Sequence, residues 1–352
     1  MKNYIILGAI VLVVASGFMF YEIFEMPARS NNQKSIYVVS MTADEMSKAL
    51  VNESIAGFIS WEPNPSKAVS EGYGRYLANS KDIWENHPSC VLAISEDLKD
   101  EDMIIALVWA QVKGTRFINN PINREKVLEF GQEFSGIDEN MTSAVINNTI
   151  YIEYPDLNET KTAIDIMDKA GILKNNISSL GYTDVNDFLS KLYINKYYDE
   201  VRKKLDEDPN WIPSRVNKSI RFGYIEGNSH YFAIYIAQKQ GYFEKVGLIS
   251  GKNLQLIGYR SGRAITDALN QQEVDAAIAG TSVLLRYKIN DNGRIHIVNG
   301  VNSGGTSLVV RADSDITSID GLNGQKIATP GFGTCQDTIM RKMFDGYEIK
   351  TQ

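Results

Sequence analysis

Short apolar runs alternate with stretches whose apolar residues recur every three or four positions, the pattern of strands interleaved with amphipathic helices. Residues 36–39 predict a strand, 43–51 a helix and 55–60 a second strand. Trp61-Glu62-Pro63 ends that strand, and Pro63 with Pro65 predicts an extended exit. Residues 90–94 read as a further strand. From 100 to 205 the periodicity is mainly helical, over 103–113, 124–134 and 184–205. Residues 206–215, rich in acids and proline, predict a linker. A second series opens at Ile220: strand 220–225, helix 232–240, strand 253–259, helix 264–271, then strands 274–279, 295–301 and 307–311. Strand 326–328, a glycine turn and a helix over about 336–344 complete the pattern, which is α/β.

One frame recurs. Ala49-Leu50 with Ile55 and Ile59 matches Ala268-Leu269 with Val274 and Ile278, each a helix turning tightly into a buried strand. The repeat reads either as a generic αβ unit or as two lobes on one plan. A different pattern stands at the start. After Lys2, residues 4–21 are apolar and uncharged, closed by Glu22 and Glu25. That run suits a membrane span or a secretory signal, and its flanks predict the body of the chain outside the cell, with retention as an anchor preferred over release.

The net charge of -7 argues against nucleic acid, since phosphate binding needs a basic face. N-x-S/T triplets at Asn52, Asn140, Asn147, Asn158, Asn176 and Asn217 are usable outside the cell. Cys90 and Cys335 are too few and too far apart for a disulfide framework or lipid attachment at the N-terminal segment. His87, His230 and His296 do not cluster in sequence. No G-x-S-x-G elbow, H-E-x-x-H pair or Walker-type loop occurs, so neither catalytic residues nor a metal or cofactor are expected.

Residues from 220 onward carry Gly223-Tyr224 ahead of His230-Tyr231, Ala237 through Gly241-Tyr242-Phe243, Tyr259 with Ser261-Gly262, Ala268-Leu269, Val274-Asp275-Ala276-Ala277 and Gly280. Gly304-Gly305, Leu322 with Gly324, Lys326-Ile327-Ala328 and Pro330-Gly331 with Gly333 follow. In this order they resemble the N-terminal half of the binding proteins that serve nitrate, sulfonate, taurine and thiamine-precursor ABC transporters. Residues 36–205 are similar to the C-terminal half of that family, through Met41, Met46, Ala49-Leu50, Gly57-Phe58-Ile59, Trp61-Glu62-Pro63 and Cys90-Val91-Leu92. The halves stand in reversed order. A circular permutation, fragments of a tandem pair or a swapped dimer would each produce it.

The resemblance implies a bilobal, periplasmic-binding-protein-like (type II) α/β fold, two lobes around a ligand cleft, apparently circularly permuted. It divides the chain into a signal peptide or anchor (1–25), a linker (26–35), part of the second lobe (36–86) and a return to the first lobe with C-terminal-type helices (87–205). A linker (206–218), the first-lobe core (219–313) and the remainder of the second lobe (314–352) follow. The second lobe, assembled from two distant segments, is expected to be the less stable.

In such sheets ligands collect where strands end and helices begin. Three turns fit: Gly333-Thr334-Cys335 after its glycine-rich loop, Gly280-Thr281-Ser282, and Asn228-Ser229-His230-Tyr231. By resemblance these line the cleft together with Gly304, and Trp61-Glu62 close it from the other lobe. His230 reads either as a ligand contact or as a helix cap. Glu62 would repel a bare anion, yet suits the ammonium of an aminosulfonate or the amine of a pyrimidine. Arg260 and Arg263 read as anion attractors or as solvated charges. The function implied is capture of a small anion or sulfonate and its delivery to an ABC transporter permease, outside the cytoplasm and tethered to the membrane through the N-terminal segment. An anchored sensory or structural relative of the fold is the alternative, and a thiamine-pyrimidine-synthase-like enzyme a further one.

Overall fold

The computed structural model describes residues 33–352, so the apolar run at 4–21 lies outside the described residues. Among the described residues no helix is long and apolar enough to cross a membrane. Twelve strands occur there: β1 Ser35–Ser40, β2 Gly57–Trp61, β3 Gly74–Asn79, β4 Cys90–Ser95, β5 Thr149–Tyr151, β6 Ile220–Ile225, β7 Leu254–Tyr259, β8 Ala276–Gly280, β9 Ile295–Gly304, β10 Thr306–Arg311, β11 Lys326–Thr329 and β12 Glu348–Thr351. They form two six-stranded sheets, ordered β5-β9-β4-β8-β6-β7 in the first lobe and β12-β1-β11-β2-β10-β3 in the second.

Each sheet is buried on both faces, because alternate residues of a strand point to opposite sides. On β4, Leu92 and Ile94 join a core with Trp109, Phe222 and Ile234, while Val91 and Ala93 face Phe188, Ile265 and Leu285. On β10, Leu308 and Val310 pack with Ile36, Ile339 and Phe344, while Val309 meets Met46, Leu50 and Phe58. The fold is therefore α/β in both lobes.

The two sheets share one plan. β7, β6 and β8 run parallel, and the antiparallel β4 adds beyond β8, followed by β9. In the second lobe β1, β11 and β2 run parallel, and the antiparallel β10 adds beyond β2, followed by β3. The correspondence is residue by residue over one stretch, at a constant offset of 219: Ser35 to Leu254 at the strand start and Trp61 to Gly280 at the end. Thr42 and Ser261 are equivalent helix N-caps. The turns after the two helices also match. Glu53 and Gln272 both take positive φ, at 65° and 56°. Ser54 N–H donates to the Ala49 carbonyl at 2.9 Å and Glu273 N–H to that of Ala268 at 2.8 Å, a Schellman-type closure in both. The repeated frame in the sequence is thus a repeated lobe architecture.

Two chain crossings join the lobes, one between β3 and β4 and one at Gly304-Gly305 between β9 and β10. Both glycines have positive φ, 66° and 69°, which suits residues without a side chain. The crossings are pinned to each other, since Gly304 N–H donates to His87 Nε2 at 3.1 Å. The helix Leu157–Lys169 also bridges them, with Met167 in a first-lobe core and Ala163 in a second-lobe core.

Several expectations change. Strand β10, expected with the first lobe, belongs to the second-lobe sheet. After Trp61 the chain does not stay extended: Asn64–Ser70 is a helix with a proline in its first turn, where a missing N–H costs nothing. The helical stretch 184–205 is two helices, Val185–Leu192 and Lys196–Glu207, broken where Ile194 N–H bonds the Ile297 carbonyl at 2.8 Å. β3, β5 and β12 lie at or near sheet edges, and their sequences carry weak apolar alternation. The segment after Glu207 lacks regular structure but is fastened, with Trp109 Nε1 donating to the Trp211 carbonyl at 2.9 Å.

Candidate functional site

The carboxyl ends of the parallel strands of both lobes converge on one cleft of about 580 Å³. From the second lobe come Met41 to Asp44 after β1, Trp61 and Asn64 after β2, and Pro330 with Thr334 to Gln336 after β11. The first lobe supplies Ile225 to Asn228 and His230 after β6, Arg260 to Gly262 after β7, and Gly280 after β8, with Cys90 and Val283 beside them. This placement follows from the topology, because every parallel strand hands over to its helix at the same edge.

Three helix N-termini reach this edge with hydroxyl caps. Thr42 Oγ1 accepts from Glu45 N–H at 3.4 Å, and Glu45 returns the bond to Thr42 N–H at 2.8 Å, a capping box. Ser261 Oγ accepts from Ala264 N–H at 3.2 Å, and Thr334 Oγ1 from Asp337 N–H at 3.3 Å. Free N–H groups and the positive end of each helix dipole make such edges favourable for anionic groups. The side chains add the other sign as well: Asp44 and Glu226 carry negative charge at the rim and Arg260 positive charge, all three exposed.

The floor is neutral. His230 is buried, with Nε2 3.0 Å from the Gly305 carbonyl and Nδ1 3.4 Å from Cys90 Sγ. Burial holds its pKa down to about 4, against the partial support of the Gly305 bond, so the ring is uncharged at neutral pH. Cys90 and Cys335 are buried thiols whose pKa values burial raises. Cys335 comes from the second lobe and sits over Gly280; a Cβ there would lie 2.9 Å from its sulfur. At the equivalent position the second lobe offers Trp61. One side of the cleft is therefore an indole and the other a bare glycine filled by a thiol.

Of the residues singled out from sequence, Trp61, Asn228, His230, Arg260, Gly280, Thr334 and Cys335 line the cleft. The others do not. Glu62 is fully buried behind Trp61 at the crossing. Its carboxylate accepts from Ser66 N–H at 3.1 Å, Asn148 Nδ2 at 2.8 Å and Tyr76 OH at 3.4 Å. Burial raises its pKa, and burial together with this carboxyl pushes Tyr76 up to about 12. Ser229 donates through N and Oγ to the Glu62 carbonyl at 3.2 and 2.9 Å, tying the lobes rather than facing a ligand. Tyr231 stacks on Tyr224 inside the first lobe at 4.1 Å between centroids. Thr281 and Ser282 are buried, and Ser282 Oγ accepts from Thr338 Oγ1 at 3.0 Å. Gly304 forms the crossing. Gly333 faces Ile172 and Arg286, away from the cleft.

The reading from sequence did not place Met41, Thr42 or Asp44 in the cleft. The Thr42-x-x-Glu45 capping box was the available signal, since it marks a helix N-terminus following a strand. Among the described residues no group of three or more His, Cys, Asp or Glu side chains is placed to hold a metal ion.

Two converging lobes with a cleft at their strand ends define a bilobal α/β fold. Residues 23–130 match the NMT1-like family and residues 228–352 match the family described as NMT1/THI5 like. The chain is similar to the nitrate import ATP-binding protein NrtC of Synechococcus elongatus, 31% identical over 105 residues that cover 29% of this chain and 16% of that protein. It is also similar to the bicarbonate transport ATP-binding protein CmpC of Synechocystis sp., 30% identical over 105 residues, covering 29% and 15%. The chain thus spans about a sixth of the length of these curated relatives. A periplasmic oligopeptide-binding protein of Borrelia burgdorferi superposes with a TM-score of 0.30 and 12% identity, covering 77% of this chain and 52% of that one, too distant to bear on the fold.

Proposed function

We propose that this chain is an extracytoplasmic solute-binding protein that captures a small anion or sulfonate and delivers it to an ABC-type permease. The observation that carries the reading is the convergence of three capped helix N-termini, from both lobes, on one cleft of about 580 Å³. The names of the relatives, which concern nitrate and bicarbonate, agree with a small oxyanion.

The rim charges refine the ligand class. Asp44 and Glu226 outnumber Arg260, so a bare anion meets repulsion that an ammonium would relieve. An aminosulfonate, with its sulfonate at the helix N-termini and its ammonium toward Asp44 or Glu226, suits both signs. Trp61 would cover its carbon skeleton and exclude water. Asn228, His230, Gly280, Thr334 and Cys335 complete the proposed ligand wall. Residues 4–21 act in this reading as the tether.

The reversed order of the halves belongs to the same reading. In the first lobe the parallel strands β6, β7 and β8 are consecutive in sequence; their counterparts β11, β1 and β2 are not. A circularly permuted binding protein has this arrangement, and lobe closure about the two crossings is the conformational step it would make. Thermal-shift measurements with nitrate, bicarbonate, taurine, methanesulfonate and an aminopyrimidine test the reading, followed by small-angle scattering with any compound that stabilises. A rise in melting temperature with a smaller radius of gyration is expected. Stabilisation by none of the five would reject solute capture, and stabilisation without compaction would reject closure.

A further inference from the structure

Beside the ligand cleft lies a second cavity of about 440 Å³, also formed by both lobes; Val283 belongs to the walls of both. Its charge is of the opposite sense. Four cations line it, Lys174, Arg263, Arg286 and Arg341, against two carboxylates, Asp267 and Asp291. In a chain of net charge -7 this is a local excess of positive charge that the global field does not supply.

Two of these cations reach the cavity from different lobes. Arg286 comes from the first-lobe helix Thr281–Asn290 and Arg341 from the second-lobe helix Cys335–Met343. Arg341 is held by Asp337 at 3.2 Å in a largely buried pair. Arg286 is half-buried, and the one hydrogen bond of its side chain among the described residues is from Nη1 to the Phe332 carbonyl at 3.0 Å. No carboxylate there comes within ion-pair distance of it. Gly333 makes room for this guanidinium, since a Cβ at that glycine would lie 3.1 Å from Nη1. Arg263 pairs with Asp267 only at 3.7 Å, on an exposed surface where such pairs contribute little. A planar fork with unused donors, in one cavity with a second guanidinium, matches an oxyanion with several charged oxygens. The volume exceeds the needs of a single nitrate-sized ion.

We propose that this interlobe cavity is a second ligand site, distinct from the cleft, for a multivalent oxyanion of the polyphosphate or polycarboxylate type. The anion spans Arg286 and Arg341 and holds the two lobes together at this side.

Calorimetric titration of the full chain with pyrophosphate, citrate and nitrate tests this. Saturable one-to-one binding of pyrophosphate or citrate is expected, the tighter of the two naming the chemistry, with nitrate weaker. Arg286→Gln is expected to weaken that binding by about tenfold or more, the usual cost of losing a charge-assisted hydrogen bond. Arg263→Gln should weaken it less and supplies the test if Arg286→Gln fails to fold. Arg294→Gln, at an exposed residue paired with Asp97 elsewhere on the first lobe, should leave it unchanged. No binding of either multivalent anion would overturn the proposal. Equal loss in Arg294→Gln would overturn it too, by showing general charge attraction. Since the site shares none of its cations with the cleft, either outcome leaves the solute-capture reading standing.

Discussion

Glu62 shows how a residue that reads as a ligand contact becomes a joint. Its side chain gathers donors from Ser66, Tyr76 and Asn148, while its backbone N–H donates to the Gly305 carbonyl at 2.9 Å and its carbonyl takes two bonds from Ser229. Glu62→Ala would orphan buried donors on both lobes, and a loss of about 2–4 kcal/mol in urea unfolding is expected. Glu62→Gln keeps the shape and should lose much less. The pH dependence separates it from the two buried imidazoles. Burial lowers His87 to about 3 and His230 to about 4 from 6.5, so the stability of their neutral forms is present above pH 6.5 and lost as pH falls toward 4 and 3. The raised Glu62 acts oppositely: its contribution is present below 4.5 and is lost as pH rises through its folded pKa. Glu62→Gln should therefore make stability climb more steeply between pH 5 and pH 7.5 than in the unmodified chain. Parallel pH profiles of the urea midpoint for the two proteins would refute this.

At the scale of elements, the first lobe is assembled on close helix packing. Gly114, in the C-terminal half of the helix Glu101–Asn119, touches the helix Phe232–Lys239, and an added Cβ would lie 2.0 Å from the Ala233 carbonyl oxygen. Alanine favours a helix interior over glycine by about 1 kcal/mol, but overpacking against backbone costs about 1–3 kcal/mol. The clash decides, and Gly114→Ala should lower the denaturation midpoint; a higher midpoint would show that the helices part freely. Elements with strong periodicity were legible in the sequence: residues 43–51, 220–225 and 232–240 fall within one or two positions of their observed bounds. Those at or near sheet edges were not. β3, with Arg75 and Asn79 among its residues, and β12, with Glu348 and Lys350, lack the apolar run that marks a central strand. β5 has three residues, too few for any pattern.

For the molecule as a whole, the two-lobe plan was written in a helix-and-strand frame that recurs at an offset of 219 residues. What the sequence did not carry was which end of each turn faces the gap. Ser229, Tyr231, Thr281 and Ser282 have the polarity of ligand contacts, yet the first turn of a helix has an inner and an outer side. Helix rotation about its own axis, set by the core, sends these four inward. The same rotation brings Thr42, Ser261 and Thr334 to the rim from three different strands. The approach of the two lobes also joins Cys90 of β4 and Cys335, distant in sequence, on one floor.

The central claim is that this cleft closes on a small charged solute. Isothermal titration of taurine, methanesulfonate, nitrate and bicarbonate into the unmodified chain and into Trp61→Ala tests it most directly. A saturable one-to-one isotherm is expected for at least one of them, strongest for the aminosulfonate, and weakened by about tenfold or more when the indole that covers the ligand is removed. Absence of heat with all four, or an isotherm unchanged in Trp61→Ala, would contradict it.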